Sequence, residues 1–358
     1  MGKFKGLSIL EQARGMLFAC AIGLGLAAGP ALSAETEITV STWGGPNHPV
    51  NSKLWPILSS WIEKATDDRV TLKVVHDLGP PAAQMDLVND GVADMAWIFH
   101  GHMPGRFVLT QISEIPSSNA DSETISAAYW NLHENYLAKA NEHRGLRVLG
   151  IGVHGPGQIF TNAKADDLAS LKSKRLRVGG GVMSDVVDRL GIVSAALPPN
   201  QLYEAASQGV IDGALQPFDG VQAFRLGEVT HYGLINPAGF YRGSFAIIMN
   251  PDKWDEISPE DQKAIESVTG EKLSRLFGAV MDGSDKAGMD YFVANGGKNT
   301  ELSAEDQETL KKIFSELRGK WETTAANAGI DAKAAIAAFD ADIEAARNGE
   351  RVTIAAAE

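Results

Sequence analysis

Glu37-Ile38-Thr39-Val40-Ser41-Thr42, the amphipathic run from Leu54 to Lys64, and Val70-Thr71-Leu72-Lys73-Val74-Val75 follow one another within residues 37–75. The first and third are short and rich in β-branched residues, and the second carries helical periodicity, so strand, helix, strand is the simplest reading. The same rhythm continues downstream. Asp86-Leu87-Val88-Asn89-Asp90-Gly91 reads as a helix end with its glycine cap, Met95-Ala96-Trp97-Ile98-Phe99 as a buried strand, and Leu146-Arg147-Val148-Leu149-Gly150-Ile151 as another. This is α/β texture.

A second unit begins after Gly155-Pro156-Gly157. Leu176-Arg177-Val178 reads as a short strand, Gly179-Gly180-Gly181 as a turn, Ser184 to Leu190 as a helix ended by Gly191, and Val210-Ile211-Asp212-Gly213-Ala214 as a strand edge. Phe245-Ala246-Ile247-Ile248-Met249 then has the apolar character of a core strand, which makes two crossings between units. Ser258-Pro259-Glu260-Asp261 and Ser303-Ala304-Glu305-Asp306 each offer an N-cap serine and early acids that suit a helix dipole. The first helix is expected to carry Ile265, Val268, Leu276 and Val280 on one face, the second Leu310, Phe314, Leu317 and Trp321. The Ala-rich tail from Ala325 to Arg347 is expected to add more helix.

The whole chain has 358 residues, 44% hydrophobic and 22% charged, which excludes a disordered or fibrous protein and suits two domains. Its formal net charge of −13 gives no electrostatic basis for a grip on nucleic acid or anionic lipid. Lys3, Lys5 and Arg14 precede an apolar run from Met16 to Gly29 and the small-residue stretch Ala31-Leu32-Ser33-Ala34, so residues 1–34 read as a secretory signal peptide. Cleavage is expected after Ala34, with Ser33 as the alternative. Loss of those residues, whose three cations outnumber Glu11 by two, would take the charge from −13 to −15. Cys20, the sole cysteine, lies inside the signal. A lipobox there is disfavoured by the bulk of Phe18 and by the apolar run continuing past it. A mature chain without cysteine is held by its core and suits the periplasm of a Gram-negative bacterium.

Several marks in fixed order resemble the periplasmic solute-binding proteins of tripartite ATP-independent (TRAP) transporters, the family named for dicarboxylate binding. They are Gly91-Val92-Ala93-Asp94-Met95, Asp167-Leu168 through Lys174-Arg175-Leu176-Arg177-Val178, Ile211-Asp212-Gly213 with Gln216-Pro217, and Ile248-Met249-Asn250-Pro251-Asp252-Lys253-Trp254 before Ile257. The resemblance runs through most of the chain. It implies an α/β fold of two lobes, hinge strands joining them, and a ligand cleft that closes on binding. Lobe I would comprise residues 35–154 and about 242–282, and lobe II residues 155–241 and about 283–358. The function implied is capture of an organic acid anion and its delivery to the small and large membrane subunits of a permease, with no catalysis and no cofactor. A binding protein serving an ATP-driven importer or a sensor is the alternative. Monomer is the expected state for a receptor that must diffuse between ligand and membrane.

The resemblance places Arg177 against the ligand carboxylate, and the planar fork of a guanidinium suits that task. Gly179, with Gly180 and Gly181, would let backbone N–H groups approach the anion, with the following helix N-terminus aimed at the same place. Gln216 stands where the family usually has an asparagine that hydrogen-bonds the carboxylate, and Phe218 beside it is placed in the cleft or the core. Many relatives carry a second arginine about twenty residues before the first. Gly157 stands there instead, which favours a monocarboxylate over a dicarboxylate unless Arg242 compensates. From lobe I, Trp43 and His48 lie on a loop after the first strand, and Phe99 and His100 end a later one. Period-two alternation puts Trp97 and Phe99 on one side of that strand, Ile98 and His100 on the other. If these rings line the site, an aromatic, hydroxy or oxo acid fits. His100-Gly101-His102 does not make a metal site, because no third ligand of settled spacing accompanies it. A hydrolase is also excluded by the lack of a mature cysteine, a Gly-x-Ser-x-Gly elbow or a His-Glu-x-x-His motif.

Overall fold

The computed structural model describes residues 36–349 and 351–352. The expected signal segment and Cys20 lie outside the described residues. Along the chain the strands are β1 (Thr36–Thr42), β2 (Val70–His76), β3 (Met95–Phe99), β4 (Arg147–Val153), β5 (Gln158–Thr161), β6 (Arg175–Val178), β7 (Val193–Ala196), β8 (Gly213–Gln216), β9 (Tyr232–Ile235), β10 (Ser244–Met249) and β11 (Lys298–Glu301). The helices are α1 (Trp55–Ala65), α2 (Gln84–Asn89), α3 (Ser122–Leu132), α4 (Val182–Arg189), α5 (Leu202–Ser207), α6 (Phe218–Ala223), α7 (Pro251–Glu256), α8 (Pro259–Glu266), α9 (Glu271–Ala294), α10 (Ala304–Asn327) and α11 (Ala332–Arg347).

The strands form two sheets, ordered β2-β1-β3-β10-β4 and β11-β9-β5-β8-β6-β7. In the first, β1 runs parallel to β2 and β3, while β10 enters antiparallel between β3 and β4. Strict alternation decides its two cores. Met95, Trp97 and Phe99 of β3 and Phe245, Ile247 and Met249 of β10 face one cluster with α1 and α9. Ala96, Ile98, Ala246 and Ile248 face the other with α3 and α11. The second sheet likewise has apolar clusters built around Leu176, Val186 and Leu215 on the one hand and Phe160, Phe218 and Phe292 on the other.

The chain passes between the sheets at residues 154–157 and again at 236–243, and these two segments pair through an antiparallel bridge between Gly157 and Tyr241. Long helices cross as well. The 24-residue α9 buries Leu273, Phe277 and Val280 against the first sheet and Phe292 against the second. Glycines at 278 and 288 let it touch the backbones of Ser122 and Phe218.

Three expectations are corrected. The face read as continuous from Ile265 to Val280 is broken at Gly270 (φ +64°), which separates α8 from α9. The strand expected at 210–214 starts instead at Gly213, because Asp212 serves as a clasp whose carboxylate accepts the Arg175 N–H at 2.7 Å. The tail assigned with the second lobe does not stay there. Phe339 and Ile343 of α11 pack with Ile125 and Tyr129 of α3 under the first sheet. Both serine caps form, Ser258 accepting from the Asp261 N–H and Ser303 from the Asp306 N–H.

Candidate functional site

The C-terminal ends of the parallel strands converge on one cavity, the usual place for a ligand in open α/β sheets. Trp43 follows β1, and Trp97 and Phe99 come from β3; Arg177 comes from β6 and Gln216 from β8. His154 and Tyr241 are contributed by the two crossings, Phe245 by β10 and Met281 by α9. The unfilled space, including solvent at its mouth, is about 510 Å³.

One wall is aromatic. The rings of Trp43 and Trp97 stack at 3.9 Å and 5°, held by the Trp43 indole N–H donating to the Trp97 carbonyl at 3.2 Å. Trp97 leans on Phe245 at 5.7 Å and Phe99 on Phe245 at 5.1 Å, with His48 tilted against Trp97 at 4.9 Å. Such rings offer much area for little lost rotamer freedom.

The second sheet contributes the charge. Arg177 is 2% exposed; its Nε donates to the Leu197 carbonyl at 2.8 Å and its Nη1 to Gln216 Oε1 at 3.0 Å. Among the described residues it forms no ion pair with a carboxylate, unlike the surface arginines at 69, 225 and 351. Burial lowers its pKa to about 10, so it stays charged at neutral pH. Because Gln216 Oε1 accepts from Arg177, its amide N–H₂ is left to donate. Two glycines make room: a Cβ on Gly179 would sit 3.2 Å from Arg177 Nη2, and one on Gly220 would overlap the Gln216 amide.

The remaining titratable groups of the lining are neutral at pH 7. Burial lowers the pKa of His48 and His102 to about 3 and of His154 to about 4, reinforced at His102 by the charge of Arg177 and at His154 by that of Arg242. Burial next to Asp285 pushes the Asp219 carboxyl up to about 8. The guanidinium is therefore the single full charge in the cavity lining.

Of the sequence candidates, Arg177, Gln216, Trp43, His48 and Phe99 meet in the cavity, and four do not. His100 lies on the other side of β3, its Nδ1 2.9 Å from Ser244 Oγ and its Nε2 3.1 Å from His143 Nε2. Phe218 is core, packed edge-on to Phe160 at 5.1 Å. Arg242 braces the crossing, donating to the carbonyls of Ala120 (2.7 Å) and His154 (3.2 Å) and to Ser122 Oγ. Gly179 supports Arg177 from outside the lining, and its N–H is taken by Met183 Sδ. The N-terminus of α4 is also engaged, since the Val182 N–H donates to Glu114 Oε2 at 2.9 Å. Asp219, Tyr241, His102 and His154 were not among the candidates. Tyr241 stands next to Arg242 in the second crossing, where the neighbouring charge is the signal that the sequence offers. Among the described residues no cluster of three or more His, Cys, Asp or Glu is placed to hold a metal, and no helix is long and apolar enough to cross a membrane.

The model of bacterial extracellular solute-binding protein family 7 matches residues 40–325. A TRAP periplasmic solute-binding protein from Bordetella bronchiseptica, solved with bound (R)-mandelate and (S)-mandelate, is 33% identical with a TM-score of 0.84, over 87% of this chain and 99% of that one. A marine metagenome TRAP solute-binding protein specific for aromatic acid ligands, solved with metahydroxyphenylacetate, is 25% identical with a TM-score of 0.80, over 87% and 99%. A Comamonas testosteroni protein named outer membrane transporter protein TsaT is 28% identical over 306 residues, 84% of this chain and 90% of that one.

Proposed function

The chain belongs to family 7 of the bacterial extracellular solute-binding proteins, and from that premise we propose that this TRAP-type solute receptor captures an aromatic monocarboxylate. The observation that carries the reading is the buried Arg177 guanidinium, without an acidic partner among the described residues, lining one cavity with two stacked indoles. Leaving a cation buried and unpaired costs several kcal/mol, which a bound carboxylate recovers through a charge-assisted, two-pronged hydrogen bond. The Gln216 amide donates to the same carboxylate, and Trp43, Trp97 and Phe99 cover the ring. Mandelate and metahydroxyphenylacetate, bound by the two solved relatives, are acids of this class.

A second carboxylate would find no second cation in the cavity lining. Arg242 is committed to backbone carbonyls, and the place expected for another arginine is Gly157, against which the Tyr241 ring packs. A dicarboxylate is therefore disfavoured, whatever the family's history of naming.

In this reading the receptor works outside the cytoplasm after removal of residues 1–34. It closes as a monomer by bending at residues 154–157 and 236–243, with the two sheets as the cores of the two lobes. The closed form passes its acid to the small and large membrane subunits, without chemical change to the ligand.

A thermal-shift screen of the purified protein tests this. Aromatic monocarboxylates, dicarboxylates, amino acids and neutral sugars are compared at equal concentration. A ligand at a hundred times its Kd adds roughly 2.7 kcal/mol of stability. The expected outcome is a rise in Tm with aromatic monocarboxylates that exceeds any rise with dicarboxylates; stabilisation by sugars alone would refute the reading.

A further inference from the structure

We propose that Asp219 forms a second pole of the cavity, a hydrogen-bonding carboxylic acid that recognises a hydroxyl group on the aromatic acid held by Arg177. The inference rests on the reading of Arg177 as the carboxylate anchor. Asp219 lies at the start of α6, three residues after Gln216 at the end of β8, and both line the same cavity. Its side chain is 4% exposed, and Oδ1 has no hydrogen-bond partner among the described protein groups. Buried polar atoms in native proteins are almost always satisfied, so an orphan at a ligand cavity marks a place where something else supplies the bond.

The surroundings specify the chemistry of that partner. The Asp219 N–H donates to Asp285 Oδ1 at 3.2 Å, so a second carboxyl group from α9 stands behind it. Lys53 is the nearby cation, and its Nζ is 3.2 Å from Ser284 Oγ. Burial and Asp285 hold the Asp219 carboxyl protonated at neutral pH. A protonated carboxyl is one O–H donor with acceptor capacity to spare, the complement of a hydroxyl, which also donates and accepts. It would repel a second carboxylate if ionised and would leave an unsatisfied group against a bare ring.

Calorimetric titration at pH 7 with two matched pairs tests the proposal: mandelate against phenylacetate, and 3-hydroxybenzoate against benzoate. In the wild type, at least one hydroxylated acid is expected to bind about 10-fold or more tightly than its parent, the worth of a satisfied buried polar group. Asp219→Ala should shrink that gap to within about 2-fold and leave the parent acid bound, whereas Asp219→Asn, an isostere of the neutral carboxyl, should keep it. A wild type that binds both members of each pair equally, or an Asp219→Ala variant with the gap intact, overturns the role of Asp219. The wild-type comparison needs no variant to fold. Parent acids that bind in an Arg177-dependent manner leave the anchor standing in that case. Failure of all four acids to bind takes down the anchor and the second pole together.

Discussion

Arg177 and Tyr241 divide the work of the charged wall. Arg177 supplies the charge; Tyr241, at the second crossing, packs its ring where a Cβ on Gly157 would have to lie. The resemblance leads one to look for a second arginine at residue 157, and the tyrosine is the physical reason none fits. Gly157→Ala should force the ring aside, costing about 1–3 kcal/mol by overpacking and weakening aromatic acids along with stability. Chemical denaturation and titration of the same sample check both. Wild-type stability in this variant would mean that the Tyr241 ring is free to move and does not shape the cavity.

At the scale of elements, strands with alternating or continuous apolar text were readable because burial on one or two faces dictates residue type. Val40 and Trp97 announce their strands in this way, and Ser258 and Ser303 announce their helices through local hydrogen bonds. That Arg177 and Gln216 share one cavity was readable through the family resemblance. Arg242 and His100 were not, since whether a buried polar side chain faces a cavity or a carbonyl is set by groups far away in sequence, Ala120 for the one and His143 for the other. The three glycines before α4 misled for the same reason. Glu114, from a distant turn, already satisfies that helix N-terminus. Long-range packing also moved α11 beneath the first sheet, since its apolar face of Ala335, Phe339 and Ile343 carries no address of its own.

Across the whole molecule the buried titratable groups set a stability optimum. Six histidines, at 48, 100, 102, 133, 143 and 154, have pKa values lowered by burial, all but His100 to about 3 or 4 and His100 well below 6.5. Below pH 6.5 the unfolded chain takes up protons that these rings refuse, so their contribution is lost as pH falls toward their folded values. Glu114, Asp219 and Asp285 are shifted the other way, to about 7, 8 and 6. Above their ordinary carboxylate range the folded state holds protons that the unfolded chain has released, so stability declines as pH rises until those folded values are passed. Between about pH 4.5 and 6 the six histidines outweigh the acids, of which only Glu114, Asp219 and Asp285 reach about 6 or above while Glu142, Asp282 and Asp342 are raised less. Between about 6.5 and 8 only the acids act, which puts the maximum between about pH 6 and 7. Thermal melts across pH 4.5 to 8.5 would show that maximum; a monotonic rise to pH 8.5 would contradict it.

The central claim is that one buried guanidinium anchors the ligand, and calorimetry on Arg177→Ala tests it most directly. The monocarboxylate that most stabilises the wild type is titrated into both proteins at pH 7, with the melting temperature of each recorded beforehand. Removing one partner of a buried, hydrogen-bonded charge pair costs 2–5 kcal/mol, so affinity should fall by about 30-fold or more in a variant that still melts cooperatively. A folded Arg177→Ala protein that binds the same acid within about 3-fold of the wild type, a difference under 1 kcal/mol, would contradict the account.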